Sequence, residues 1–338
     1  MHLEILFLLL TTYFAYQILA KYAHKINLID LPNSRSSHNL PTVRGFGIVI
    51  FFSIGVTLLA FKSFLVIEHP NLLAAILMVG FLGLIDDIKG MPPVIKITTV
   101  VLVCMFLYAE GFVILNLGVY YGIELNLNLM IAIIFSAISI VTFTNAFNLI
   151  DGLDGLSGLI AIIIFLAFLA IGLSNNDQFL ITISILFITP LLVFIFYNWH
   201  PAKVFLGDSG SLMIGFVISL MAIRSLNYIE PIAVLYITAV PIIDFLFVTI
   251  RRLKTRESIF KADRSHCHHI LLSFFNGNVK KTVIIISAFQ VLLSLIGVIF
   301  VAKVIDSLVV LALFLILFFI IYKFLNSLLL NKSNQKVS

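Results

Sequence analysis

Two adjacent carboxylates, Asp86 and Asp87, close an apolar run in Gly83-Leu84-Ile85-Asp86-Asp87-Ile88-Lys89-Gly90. Neighbouring acids repel, and one tends to keep its proton unless a cation lies close. Such a pair suits Mg²⁺ binding or general-base work. A solvated helix end would explain the same residues, although acids at a helix C-terminus oppose its dipole. A second cluster holds Asn148, Asp151 and Asp154 in Asn148-Leu149-Ile150-Asp151-Gly152-Leu153-Asp154. The spacing of three puts them on one face if the segment is helical. The intervening glycines let a ligand approach the backbone, and Asn and Asp can read a nucleobase edge or ribose hydroxyls. The plain alternative is a tight Asp-Gly turn. A turn rarely needs so many hydrogen-bonding side chains.

Gly207-Asp208-Ser209-Gly210-Ser211 opens another apolar run. A Gly/Ser loop at a helix N-terminus offers free N–H groups and a positive dipole end to phosphate. Asp208 is placed to hold Mg²⁺ against that phosphate, and Phe205, three residues earlier, can stack on a base. A Ser-rich N-cap is the bland reading, but it leaves the two glycines unexplained. His266, His268 and His269 follow Asp263-Arg264-Ser265, with Cys267 between them. With Ser265 as cap and a helix from His266, the histidines become first-turn donors to an anion. Zinc is a competing idea, but ligands so adjacent seldom reach one tetrahedral ion, and a solvated polar loop also stays open. Arg44, Lys96, Lys203, Arg251, Arg252 and Arg264 surround these clusters. Most read as juxtamembrane anchors. Asp244 lies about two turns inside an apolar run. Its simplest partner by spacing is Arg251.

The elements that must position these groups are membrane helices. Of 338 residues, 61% are hydrophobic and 11% charged, far too few charges for a soluble surface of this size. Repeated apolar runs give about eleven spans of the length a bilayer needs. They fall near 3–23, 46–66, 71–86, 94–110, 129–147, 157–174, 178–197, 210–226, 231–250, 282–302 and 306–325. With the N-terminus outside, only Lys62, Arg224 and Lys303 of the 21 basic residues fall on the outer side, so the parity follows the positive-inside rule. The five polar clusters, Arg35-Ser36-Ser37-His38 included, then share the cytoplasmic face. The first run lacks a basic n-region and reads as an uncleaved helix. The short outer loops look like connectors. Two cysteines give no disulfide framework, and no internal repeat supports an inverted-repeat transporter. The expected architecture is an all-α polytopic membrane protein whose active site comes from cytoplasmic loops. It is a single integral-membrane domain over 1–330, with a disordered cytoplasmic tail over 331–338.

These clusters, in this order, resemble the polyprenyl-phosphate N-acetylhexosamine-1-phosphate transferase family (glycosyltransferase family 4). The likeness runs from Asp30-Leu31-Pro32-Asn33 and Arg35-Ser36-Ser37-His38 to the histidines, most of the chain. It implies a Mg²⁺-dependent enzyme, with Mn²⁺ an allowed substitute, acting at the cytoplasmic face. Such an enzyme moves a sugar phosphate from a UDP-sugar to a lipid phosphate and releases UMP. Position by position, the resemblance makes Asp86 and Asp87 the paired aspartates at the lipid phosphate and Asp208 the metal ligand. Asn148, Asp151 and Asp154 become the nucleoside-side and catalytic cluster, Phe205 the uracil platform, and His266, His268 and His269 the histidine motif. Arg44, Lys96, Ser209 and Arg264 are candidates for binding the nucleotide-sugar phosphates.

His-x-His-His after Asp-Arg-Ser looks more like the branch that starts O-antigen, common-antigen or teichoic-linkage glycans than the peptidoglycan branch with three consecutive histidines. Gly45-Phe46-Gly47 stands where many members carry adjacent glycines. The expectation is therefore a bacterial inner-membrane enzyme with UDP-HexNAc and undecaprenyl phosphate as partners, membrane lipid around it and no nucleic acid. A homodimer is left open. The alternatives are the phospho-MurNAc-pentapeptide transferase of the peptidoglycan branch and, from a different class, a lipid-linked sugar transporter or flippase.

Overall fold

The computed structural model describes residues 2–32, 41–61, 63–256, 266–301 and 307–335. The chain is a bundle of helices: α1 (His2–Tyr22), α2 (Phe46–Ala60), α3 (Phe64–Glu68), α4 (Pro70–Lys89), α5 (Pro93–Ala109), α6 (Leu129–Leu149) and α7 (Leu156–Asn175). Then follow α8 (Gln178–Asn198), α9 (Asp208–Ser225), α10 (Pro231–Ile237), α11 (Ala239–Thr255), α12 (Cys267–Phe274), α13 (Val279–Ile296) and α14 (Ser307–Gln335). Apolar chain in a bilayer must satisfy its backbone internally, and a helix does so within one segment. Proline at the first turn starts α4, α5 and α10, where its missing N–H costs nothing. Side chains of Asn128, Asp177 and Asn278 cap α6, α8 and α13.

Eight helices among the described residues are long and apolar enough to cross a membrane, and the pair α10 and α11 would make a ninth. Phe46–Ala60 and Pro93–Tyr108 are shorter apolar helices. Each of the eleven expected runs contains helix among the described residues, but three are not straight membrane-length rods. The run expected over 46–66 stops at Ala60 and resumes as the five-residue α3. The run expected over 231–250 breaks at Thr238 with an 86° bend. Gln290 of α13 repairs that break: its amide donates to the Ile237 carbonyl at 2.8 Å and accepts from the Val240 N–H at 2.9 Å. A polar side chain inside an apolar helix therefore satisfies backbone groups that the bend exposes.

The fold is not purely α. Strands β1 (Ile29–Asp30) and β2 (Thr42–Arg44) are antiparallel. A connector expected at the other end is a hairpin, β3 (Asn116–Tyr120) and β4 (Ile123–Asn126). Strand β5 (Val204–Phe205) lies parallel to β2 and sets Arg44 beside Phe205. The tail expected to be disordered from 331 continues α14 to Gln335, and 336–338 lie outside the described residues.

Helix α9 is central. In its most apolar stretch 83% of residues are buried, against 17% in α14, which leaves α14 at the periphery. It packs on α2, α4 and α6. Gly47 and Gly83 permit this: a Cβ on Gly47 would collide with the Gly210 backbone, and one on Gly83 would lie 2.5 Å from the Ser209 Cα. Two glycines on α2 and α4 thus let the start of α9 sit against both helices.

Candidate active site

The close crossing of α4 with α9 carries Asp87 to the first turn of α9. Its carboxylate accepts from the N–H of Asp208 at 2.9 Å and of Ser209 at 3.0 Å. The next two amides, of Gly210 and Ser211, donate to the Gly207 carbonyl. This corrects one expectation. The amides assigned to substrate phosphate are already used, and Ser209 is buried, because a buried carboxylate from α4 takes the anion's place at the dipole. The Arg44 guanidinium donates to the Asp87 carbonyl and lies 3.6 Å from its carboxylate. Asp87 is therefore a brace between β2, α4 and α9.

Asp86 and Asp208 behave differently. The Lys96 ammonium, from the first turn of α5, sits 2.5 Å from Oδ2 of each. Asp86 also accepts from the Met91 N–H at 2.5 Å, and Asn148 lies within hydrogen-bonding reach of Asp208 while donating to the Ser211 hydroxyl at 2.8 Å. The Asp208 side chain keeps 30% of its surface exposed, so the bridge faces open space. Asp151 lies in the turn between α6 and α7 and accepts from the Ser157 hydroxyl at 2.5 Å. Burial pushes its carboxyl up to about 7. Ser157 opposes that shift, and the charges of Asp208, Asp87 and Asp154 add to it.

Asp154, expected among the catalytic residues, is braced in the same turn. Its Oδ2 pairs with His200 Nδ1 at 2.7 Å and accepts from the Ala202 N–H at 3.1 Å. Asn198 ties the same turn to β5, accepting from the Gly155 N–H and donating to the Val204 carbonyl. Asn198 and His200 went unnoticed in the sequence, although Asn198-Trp199-His200-Pro201 after an apolar run was the available signal.

The histidine segment repeats the logic of Asp87. Asp244 of α11 holds His266 Nδ1 at 2.7 Å and accepts from the Cys267 N–H, the first amide of α12, at 2.6 Å. Its partner is thus His266, not Arg251, and the helix starts one residue later than expected. The N-terminal anion seat of α12 is again filled by a protein carboxylate. His268 is buried against the Asp151 turn, where a Cβ on Gly152 would meet its Nε2. Burial lowers its imidazole to about 3; His269 and His266 add to this and Asp244 opposes it, so His268 is neutral. Its ring packs against the turn. His269 lies beside it, with ring centroids 4.3 Å apart. Burial raises the Cys267 thiol, which leaves it protonated and a poor metal ligand. Arg264, Ser265 and the Arg35–His38 segment lie outside the described residues.

Four carboxylates (Asp86, Asp87, Asp151 and Asp208) meet two cations, Lys96 and Arg44. Among the described residues no three His, Cys, Asp or Glu groups close around one ion. Mg²⁺ needs no such cage: it takes one or two carboxylates and completes its shell with water and phosphate oxygens. Hard oxygen donors already gathered about an ammonium fit that preference.

Fold and site define a polytopic membrane protein with an acidic, lysine-bridged site where several helix ends meet. Residues 69–226 match the sequence model of glycosyl transferase family 4. It is similar to a Bacillus subtilis (strain 168) protein named "Probable undecaprenyl-phosphate N-acetylglucosaminyl 1-phosphate transferase". The two are 29% identical over 270 residues, 79% of this chain and 75% of the relative. The Escherichia coli (strain K12) undecaprenyl-phosphate alpha-N-acetylglucosaminyl 1-phosphate transferase is 29% identical over 334 residues, 92% of this chain and 87% of its own length. A Thermotoga maritima protein of the same name is 28% identical over 290 residues, 85% of this chain and 86% of its own.

Proposed function

We propose that this protein transfers N-acetylhexosamine 1-phosphate, with N-acetylglucosamine the favoured sugar, from a UDP-sugar to undecaprenyl phosphate and so initiates a cell-surface glycan. The acceptor's phosphate oxygen attacks the sugar-bearing phosphorus. The bond to the bridging oxygen breaks, and UMP leaves with that oxygen. The products are undecaprenyl-diphospho-HexNAc and UMP.

The observation that carries this reading is the Asp86–Lys96–Asp208 bridge, a surplus of carboxylates around one ammonium at an open surface. Phosphoryl transfer needs charge neutralisation and alignment more than covalent help. Asp208 and Asp86 would hold Mg²⁺, which when bound neutralises the diphosphate and the departing UMP. Lys96 is placed to offer its ammonium to phosphate, with Arg44 beside it. The acceptor is already ionised near neutral pH, so the acids align it more than they deprotonate it. Asn148 and Asp151 stand on the nucleoside side, with Phe205 held next to Arg44 by the β2–β5 pairing. An apolar groove of about 560 Å³ runs between α6, α9, α10 and α11 to Ala146, two residues short of Asn148. It suits the prenyl chain.

In the same reading all eleven helical runs cross or enter a bacterial inner membrane. The N-terminus is outside and the site is on the cytoplasmic face, since the basic residues gather at that end. The test is UMP release by detergent-purified protein from UDP-GlcNAc, undecaprenyl phosphate and Mg²⁺. Release that needs both lipid and Mg²⁺ is expected. Absence of release with every UDP-HexNAc offered would move the assignment to lipid-linked sugar transport.

A further inference from the structure

A second cavity, of about 220 Å³, lies between α11, α12, α13 and α14 and reaches Ile150 and Leu156 on either side of the Asp151 turn. Ile285, Phe289, Ile321 and Phe324 form its walls, and neither Asp86 nor Asp208 lines it. Ile285 is 40% exposed and Phe324 47% exposed, so the cleft opens on the side where α13 and α14 face hydrocarbon. Its floor is the back of the histidine helix, Cys267 and His268, with Asp244 beneath. The Asp244 carboxylate is taken by His266 and the Cys267 N–H, which leaves the cleft an apolar interior that suits a hydrocarbon chain.

Three of the helices that wall the cleft, α11, α13 and α14, each carry a lysine beside it: Lys254, Lys281 and Lys323. Lys254 donates to the Tyr322 hydroxyl at 3.2 Å and lies 4.5 Å from its ring centroid. Lys323 follows Tyr322 and sits over Phe319. Lys281 lies over Phe275, whose neighbour Phe274 packs on Phe324 at the cleft mouth. Lys281 is also one turn before Ile285 on α13. All three lysines are exposed. A positively charged rim above a lipid-facing apolar cleft is complementary to one molecule with an anionic head and an acyl tail.

We propose that this cleft binds an anionic phospholipid, its acyl chain between α13 and α14 and its headgroup on Lys254, Lys281 and Lys323. The occupant is a resident lipid and not the acceptor, because neither Asp86 nor Asp208 lines the cleft. Filling the cleft presses on the helix that places His268 against Gly152, so bilayer composition bears on the Asp151 turn.

The test uses full-length protein carrying Phe324→Trp, reconstituted in vesicles, with the wild-type emission of Trp199 as baseline. Dibrominated phosphatidylglycerol should quench the new tryptophan at lower mole fraction than dibrominated phosphatidylcholine. A lysine near the surface gives roughly a fivefold preference for an anionic headgroup. Combining Lys254→Gln, Lys281→Gln and Lys323→Gln should abolish the preference. Ile285→Trp, from the facing wall, gives an independent reading should Phe324→Trp misfold. Equal quenching by both lipids, or a preference that survives loss of the lysines, overturns the proposal. So does relief of quenching by unlabelled undecaprenyl phosphate, which would give the cleft to the acceptor. The readout needs no turnover, so failure to release UMP leaves it standing.

Discussion

The two ends of α9 carry opposite kinds of polar cluster. At its start, Asp208 shares Lys96 with Asp86, beside Asp87 and Asp151, and acids outnumber bases. At its end, Arg224 meets the Asp177 carboxylate at 2.7 Å, and the Tyr228 hydroxyl and the Leu180 N–H fill the remaining acceptor sites. Burial alone would raise the Asp177 carboxyl, but those donors and the Arg224 charge outweigh it and hold it below the usual range. One end is balanced and closed, as scaffolding is. The other is left with unspent negative charge at an open surface, the place the proposed function gives to a divalent cation and a diphosphate. A buried ion pair therefore does not mark a site by itself; the charge imbalance does.

Four changes probe this contrast. Asp208→Asn should lower UMP release by about 100-fold or more, the scale of losing a group that stabilises developing charge, while thermal stability stays near wild type. A parallel loss of stability would make the α9 start scaffolding like its end. Gly152→Ala forces His268 or the Asp151 turn to move, and should cost roughly tenfold in turnover, since small misplacements of reacting groups are expensive. Unchanged turnover would detach the histidine helix from the site. Asp177→Asn should leave turnover intact and reduce stability by about 1–3 kcal/mol in a chemical or thermal melt, less than a fully buried pair because Arg224 is partly exposed.

The smallest effect concerns pH. Folding raises the Asp151 carboxyl to about 7 from its ordinary value near 4, so between those values the folded state binds more protons. Stability must then fall as pH rises through that window. Asp151→Asn should flatten the fall, gaining a few degrees in melting temperature at pH 8 and nothing at pH 4. Equal gains at both would show that the carboxyl does not titrate there.

The helices and the membership of the cluster were legible because apolar length and isolated acids are local signals. Asp86, Asp151, Asp208 and Asn148 could be picked out as departures from an otherwise hydrocarbon chain. The jobs of Asp87, Asp154 and Asp244 could not. Each reaches a partner more than twenty residues away, at the first turn of another helix or on another loop, and spacing along one helix pointed Asp244 at Arg251 instead. His200 and Asn198 were missed because they matter only once the turn after α6 folds over them.

By itself the sequence determined that this chain lives in a membrane, roughly where its helices run, and which residue types carry chemistry, since these follow from hydropathy and from the cost of placing charge in hydrocarbon. Only the tertiary structure decided which acids are spent. Close crossings at Gly47 and Gly83 bring α4 onto α9, so Asp87 is consumed as a cap while Asp86 and Asp208 stay poised around Lys96. That division depends on contacts between segments far apart in the chain, which no local pattern encodes.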